Sequence, residues 1–176
     1  MNNIKELLKK NKGLKYSNKE KNMLVRKGIR ILGKDMYLTI CMEEISELID
    51  VSTENLYNKI NYIHTAEELA DVYVSMRIIK NIYNIKDNKL DKIDKSKAKP
   101  NKLFRSISDL SKAQQILSKN IRGKDKGEKI LKSLNLINEA CEDIISIFKI
   151  KKKDINRIEA LKYQRLEERI DNRTLA

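Results

Sequence analysis

Two stretches of this chain carry carboxylates three residues apart. "CMEEISELID" (41–50) holds Glu43, Glu44 and Glu47, and "EELADVYVSM" (67–76) holds Glu67, Glu68 and Asp71. On a helix this spacing puts Glu44 with Glu47, and Glu68 with Asp71, on one side of the cylinder. None of the six acids has a Lys or Arg three or four positions away. Like charges so placed repel by about 0.2–0.5 kcal/mol per pair even when exposed. Carboxylates that converge without basic partners share protons or take a cation. A divalent ion with oxygen ligands satisfies them, and helix bundles build such sites. The stretches contain no His, and their one Cys, Cys41, lies on the apolar face, which favours Mg²⁺, with Mn²⁺ next, over Zn²⁺.

The facing of these acids separates a site from a solvated helix surface. With Val72 at zero on a helical wheel, Leu69, Met76, Ile79, Ile82 and Tyr83 fall between roughly −80° and +60°. Glu68 falls at about −40°, inside the apolar arc, and Asp71 at about −100°, on its edge. Glu44 is bracketed in the same way by Tyr37, Ile40 and Val51. EExxE by itself is common on charged helix faces; acids on the core-facing arc are not.

Those acids need helices to position them, and the composition supplies helices. Of 176 residues, only five are Gly and one is Pro, and none is Trp. That argues for an all-α fold and against a sandwich or barrel, which needs many turns. Leu38, Cys41, Ile45, Leu48 and Ile49 share one face and predict a helix over about 35–50. Leu69, Val72, Met76, Ile79 and Tyr83 predict another over about 66–84, and "VSTENLYNKINYIHT" connects them. Further helices are expected over about 1–12, 19–34, 103–120, 126–148 and 152–171. The lysine-rich "KDNKLDKIDKSKAKPNK" (86–102) reads as a linker. The expected organisation is a basic N-terminal segment (1–34), an acidic half (35–90), a linker (91–102) and a second half (103–176).

The halves look related. "NIYNIKDNKLDKI" (81–93) aligns with "SIFKIKKKDINRI" (146–158), and "MEEISELI" (42–49) with "LSKAQQIL" (110–117). In this register Lys112, Gln115, Ser133 and Leu136 stand where Glu44, Glu47, Glu68 and Asp71 stand. The pattern is either that of an internal repeat, a pseudo-dimer whose second copy lost its acids, or that of two helical hairpins that align by chance.

The pair "MEEISELI" and "EELADVYV", on successive helices, resembles the signature of the all-α nucleoside triphosphate pyrophosphohydrolases, the MazG-like proteins and dimeric dUTPases. "AQQILSKNIRGK" (113–124) and the tail "ALKYQRLEERI" (160–170) are also similar to that family. The resemblance implies a MazG-like helical bundle. It implies metal ligands at Glu44, Glu47, Glu68 and Asp71, with Glu43 holding or activating water beside Glu44 and Glu47. It implies a Mg²⁺-dependent hydrolase that converts a (d)NTP or related nucleotide to the monophosphate and pyrophosphate. It also implies a homo-oligomer, dimer or tetramer. The uracil-specific members carry a Lys/Trp segment between the acidic motifs. "STENLYNKINY" is only a loose substitute, so a generic MazG-like activity fits better than a dUTPase. Lys59, Arg122, Lys124 and Lys126 are candidates to flank the phosphates, against the plainer reading of each as a solvated cation.

The charge balance suits such a ligand. Net charge is +13, yet residues 41–75 hold eight acids against Lys59 alone, a window of −7 inside a remainder of +20. A basic surface attracts polyanions. The N-terminal 34 residues hold eleven bases against Glu6 and Glu20, but no nucleic-acid recognition motif accompanies them. A non-catalytic nucleotide- or nucleic-acid-binding protein on the same fold is the alternative, and a purely structural bundle the third reading. Cys41 and Cys141 are expected as buried free thiols. His64, Tyr57, Tyr62 and Tyr73 read first as capping or packing residues, and second as groups near a metal or base. No apolar run approaches a membrane span and the N-terminus lacks the apolar core of a signal peptide, so a cytoplasmic protein is expected.

Overall fold

The first helix begins where Ser17 and Glu20 exchange hydrogen bonds. The Glu20 amide donates to Ser17 Oγ (3.3 Å), and the Ser17 amide donates to Glu20 Oε2 (2.7 Å), a reciprocal cap for two otherwise orphaned donors. The structure is a computed structural model; it describes residues 13–91, 101–125 and 127–174, with side chains as far as Asn172. The expected helix over 1–12, most of the linker and Lys126 lie outside the described residues.

Six α-helices make up the described chain, with no strand among the described residues: α1 (Asn18–Leu32), α2 (Lys34–Tyr57), α3 (Tyr62–Ile82), α4 (Lys102–Ile121), α5 (Ile130–Phe148) and α6 (Lys152–Thr174). A short 3₁₀ turn, Asp87–Lys89, follows α3. The all-α bundle expected from composition is what forms. No helix among the described residues is long and apolar enough to cross a membrane.

α2 and α3 form one antiparallel hairpin and α4 and α5 another; α2 packs on α4, and α3 on α6 and α1. The predicted apolar faces are the buried ones. Leu38, Cys41, Ile45 and Leu48 of α2 face Leu69, Val72, Met76 and Ile79 of α3 within one continuous core. Each fully buried Leu or Ile contributes about 1.5–3 kcal/mol relative to exposure. Cys41 and Cys141 are both buried and free.

α5 starts at Ile130, four residues after the expected position, and two larger differences from the sequence expectation stand beside it. α2 runs through the stretch read as a connection and ends at Tyr57, leaving only residues 58–61 as the loop. Side-chain hydrogen bonds make so short a loop feasible. Asn55 Nδ2 donates to Thr65 Oγ1 (2.8 Å), the Asn61 amide to Asn55 Oδ1 (2.9 Å), and the His64 amide to Asn61 Oδ1 (3.3 Å). Asn61 thereby caps α3, which starts four residues before the expected position.

The second difference concerns α1, expected within a separate basic segment. Residues 18–32 instead join the bundle. Gly33, at φ +84°, turns the chain directly from α1 into α2 in a conformation that glycine adopts without strain. α1 is then fastened to α6 and α3. Tyr16, just before it, donates to Glu167 (2.8 Å), Lys21 pairs with Glu159 (2.9 Å), Lys27 pairs with Asp171 (3.0 Å), and Arg77 reaches Asn18 and Asn22 (3.1 Å each).

Candidate functional site

Glu44 on α2 and Glu68 and Asp71 on α3 converge where the two helices pack side by side. One carboxylate oxygen from each lies within 4.8 Å of the other two. Among the described residues no other group of three such ligands is found. The wheel explains why. Glu68, inside the apolar arc, is 6 % exposed, while Asp71 and Glu44, on the edges of theirs, are half-buried.

Glu68 shows what the position costs. Its Oε1 lies 3.1 Å from His64 Nε2, one helical turn earlier, but its Oε2 is buried with no hydrogen-bond partner. An ionised carboxylate buried with an unsatisfied oxygen is disfavoured by several kcal/mol unless it takes a proton or a cation. Burial raises the Glu68 pKa, and the Asp71 and Glu47 charges raise it further, while Lys162 opposes. Burial likewise pushes Glu44 up, with Asp71 and Glu47 adding and Lys162 opposing, to about 7. Asp71 is also raised: burial outweighs the Lys162 ammonium that contacts it.

Glu47 therefore stands beside the triad, close enough to perturb both Glu44 and Glu68, but exposed at its rim. Glu43 is exposed and lies outside the cavity wall, because one residue along a helix rotates the side chain by about 100°.

The triad sits in the wall of a cavity of about 810 Å³. Apolar side chains from α1, α2 and α3 form much of the rest, among them Ile31, Leu32, Tyr37, Ile40, Val74 and Ile78. Gly28 allows α1 to approach Tyr37, since a Cβ there would fall 2.2 Å from the Tyr37 hydroxyl. α6 adds Lys162, Arg165 and Arg169 to the wall, together with apolar Leu166 and Ile170. Lys162 Nζ hydrogen-bonds Asp71 Oδ2 and lies 3.5 Å from Glu67 Oε1.

Comparison with protein-family models, with curated proteins and with solved structures returns no match to this chain. What the site does is read from its geometry.

That geometry redraws the cation assignment. Arg122 and Lys124 lie between α4 and α5 and Lys59 is exposed in the α2–α3 loop; none of the three lines the cavity. Arg122 Nε donates instead to the carbonyl of Ser118 (3.3 Å). The cavity cations come from α6, where positions 162, 165 and 169 share a face at i, i+3, i+7 spacing. The premise that the acids lack a basic partner holds only along the chain, since Lys162 arrives from 91 residues away. A basic stripe within "ALKYQRLEERI" was the available signal.

Among the described residues, the second hairpin adds nothing to the cavity wall. At the positions matching the acids, Lys112 pairs with Asp109 (3.0 Å), and buried Ser133 donates to the Ala113 carbonyl (3.3 Å). Tyr62 and Tyr73 serve packing: Tyr62 donates to Asp154 (2.8 Å) and Tyr73 to Glu142 (3.3 Å). Tyr57 is 81 % exposed and borders no cavity wall described here.

The residues fit a divalent ion. Ligands about 2.1 Å from an octahedral Mg²⁺ are about 3–4 Å apart, so oxygens spread over 4.8 Å need only side-chain adjustment to meet one ion. The orphaned Glu68 oxygen would gain a partner from such an ion, and the all-oxygen donor set suits Mg²⁺ or Mn²⁺.

Proposed function

We propose that this chain is a divalent-metal-dependent nucleoside triphosphate pyrophosphohydrolase that splits a (d)NTP or related nucleotide into the monophosphate and pyrophosphate. The observation that carries the reading is the convergence of Glu44, Glu68 and Asp71, with a buried unsatisfied oxygen, in a cavity lined by both apolar and cationic side chains. The resemblance of the two acidic stretches to MazG-like proteins adds to it.

Glu44, Glu68 and Asp71 would hold Mg²⁺, which when bound polarises phosphate oxygens and lowers the pKa of a coordinated water. Arg165 and Arg169, roughly one turn apart along α6, face the phosphates as hydrogen-bond forks. The apolar wall around Tyr37 and Ile40 takes the base and excludes water from one face of it. Glu47, at the rim, accepts a proton from the attacking water. The water oxygen bonds to the α-phosphorus, the bond from that phosphorus to the α,β-bridging oxygen breaks, and pyrophosphate leaves with that oxygen.

The test is pyrophosphate release from a panel of nucleotides with Mg²⁺, comparing the natural chain with Glu68→Ala. Turnover of at least one nucleotide that is lost in the variant is expected. No turnover in either would falsify the hydrolase reading. Tight nucleotide binding with the ligand recovered intact would favour the non-catalytic binding protein. That second reading has an observation of its own: Lys162 already gives Asp71 and Glu67 a cation without any metal.

A further inference from the structure

The acid cluster contains five carboxylates but is not uniform. Glu44, Glu47, Glu67, Glu68 and Asp71 all line the cavity. On one side, Glu68 Oε2 is buried with no hydrogen-bond partner while its Oε1 lies 3.1 Å from His64 Nε2, and the Lys162 charge acts on both Glu44 and Glu68. On the other, the Lys162 ammonium holds Asp71 Oδ2 and approaches Glu67 Oε1. Asp71 belongs to both groups: its Oδ2 is engaged by Lys162, and one of its carboxylate oxygens lies within 4.8 Å of oxygens of Glu44 and Glu68.

Paired-metal hydrolytic sites set two ions about 3.5–4 Å apart, bridged by a carboxylate. Here the bridging position is Asp71, and the place a second ion would occupy, against Asp71 and Glu67, is taken by a nitrogen. Lys162 is held there. Its side chain is 17 % exposed, and it lies between Leu161 and the fully buried Tyr163 on a helix packed against α3. An ammonium is a compact point charge of three donors, able to serve as a fixed cation.

We propose that the site takes one divalent ion, at Glu44, Glu68 and Asp71, and that the Lys162 ammonium serves as the second cation, excluding a second ion from Asp71 and Glu67. This rests on reading the triad as a metal site. Lys162 thereby also sets where anionic charge is neutralised. A phosphate bridging the ion and Lys162 meets a cation on each side, while Arg165 and Arg169 continue the cationic face along α6.

Counting bound Mn²⁺ tests the inference without reference to turnover. Equilibrium dialysis against Mn²⁺, with electron paramagnetic resonance of the bound ion, should give one Mn²⁺ per natural chain and an uncoupled six-line spectrum. Lys162→Gln, which removes the charge, should bind two Mn²⁺ and show the spin-coupled signal of ions a few ångströms apart. Lys162→Arg, which keeps the charge, should stay at one. Should Lys162→Gln fail to fold, the natural chain and Lys162→Arg still decide: two ions in either overturns the inference. A folded Lys162→Gln that stays at one overturns it as well. No bound Mn²⁺ in the natural chain overturns the metal reading together with the inference, whereas two ions in the natural chain overturn the inference alone.

Discussion

Lys162 on α6 donates to Asp71 on α3 across 91 residues of sequence, and this contact joins the C-terminal helix to the carboxylate cluster. Both side chains are mostly buried, at 17 % and 15 % exposure. The pair is thus neither a surface ion pair of negligible worth nor a fully dry one. α6 packs on α3, and its Ile155, Ile158 and Tyr163 are all nearly inaccessible. The polar contact therefore sits at the margin of an apolar interface that fixes its geometry.

Removing the ammonium should expose the electrostatic cost of the cluster. Without divalent ions at pH 8, Lys162→Met is expected to lose about 1–3 kcal/mol of stability, because Asp71 is left buried without its cation. At pH 5, where the neighbouring acids take up protons, the loss should shrink. Urea denaturation at the two pH values measures both numbers, and an equal loss at each would contradict the electrostatic account.

The raised carboxyls make a signed prediction for the unliganded protein. Glu44 titrates near 7 in the fold and near 4.5 in the unfolded chain, so over that interval the folded state holds more protons. Stability therefore falls as pH rises from about 4.5 through 7, by about 1–2 kcal/mol after discounting for solvent. Glu68 and Asp71 shift in the same direction and steepen the fall. Saturating Mg²⁺ stabilises the ionised forms and should flatten the slope. Urea midpoints with EDTA and with Mg²⁺ across pH 4.5–8.5 check it; stability that rises over this range in EDTA would show that the cluster does not dominate.

Glu68→Gln separates a metal site from a packing defect. Without metal at pH 8 the variant should be more stable by about 1 kcal/mol, since it removes a disfavoured buried charge. The same change should abolish metal stabilisation, which in the natural chain reaches about 2.7 kcal/mol at a hundredfold excess over the dissociation constant. Melting curves with and without Mn²⁺ for both proteins give the comparison. A divalent-ion shift that survives in Glu68→Gln would place the ion elsewhere.

Gly28→Ala tests the cavity wall. The added methyl would meet the Tyr37 hydroxyl at 2.2 Å, so Tyr37 or α1 must move. A loss of about 1–3 kcal/mol from overpacking is expected, read as a lowered urea midpoint. Nucleotide affinity should fall with it, because Tyr37, Ile31 and Leu32 line the same space. Unchanged stability would mean that α1 yields there without penalty.

The sequence by itself determined that the chain is helical, which faces are apolar and that Glu68 lies on a core-facing arc. Glu68 shows this best: its wheel position beside Leu69 and Val72 already implied the burial that the fold displays. Helical periodicity is local, so three or four residues of context suffice to place a side chain on its cylinder. Glu43, expected to hold or activate water, instead lies exposed outside the cavity wall, about 100° around the helix from Glu44. The ends of α2 and α3 were less legible, because the bonds among Asn55, Asn61 and Thr65 that shorten their loop form only once the hairpin closes. Tertiary structure alone decided where the cations come from. Lys59, Arg122 and Lys124 carry the same charge as Lys162, Arg165 and Arg169, and the basic stripe within 160–170 does not by itself say which way it points. The difference is that α6 docks on α1 and α3, where its apolar stripe of Ile155, Ile158 and Tyr163 is buried, and that docking turns its basic stripe toward the acids. Apolar burial sets the orientation of α6, and the charge of Lys162 then meets Asp71 because of where the packing has put it.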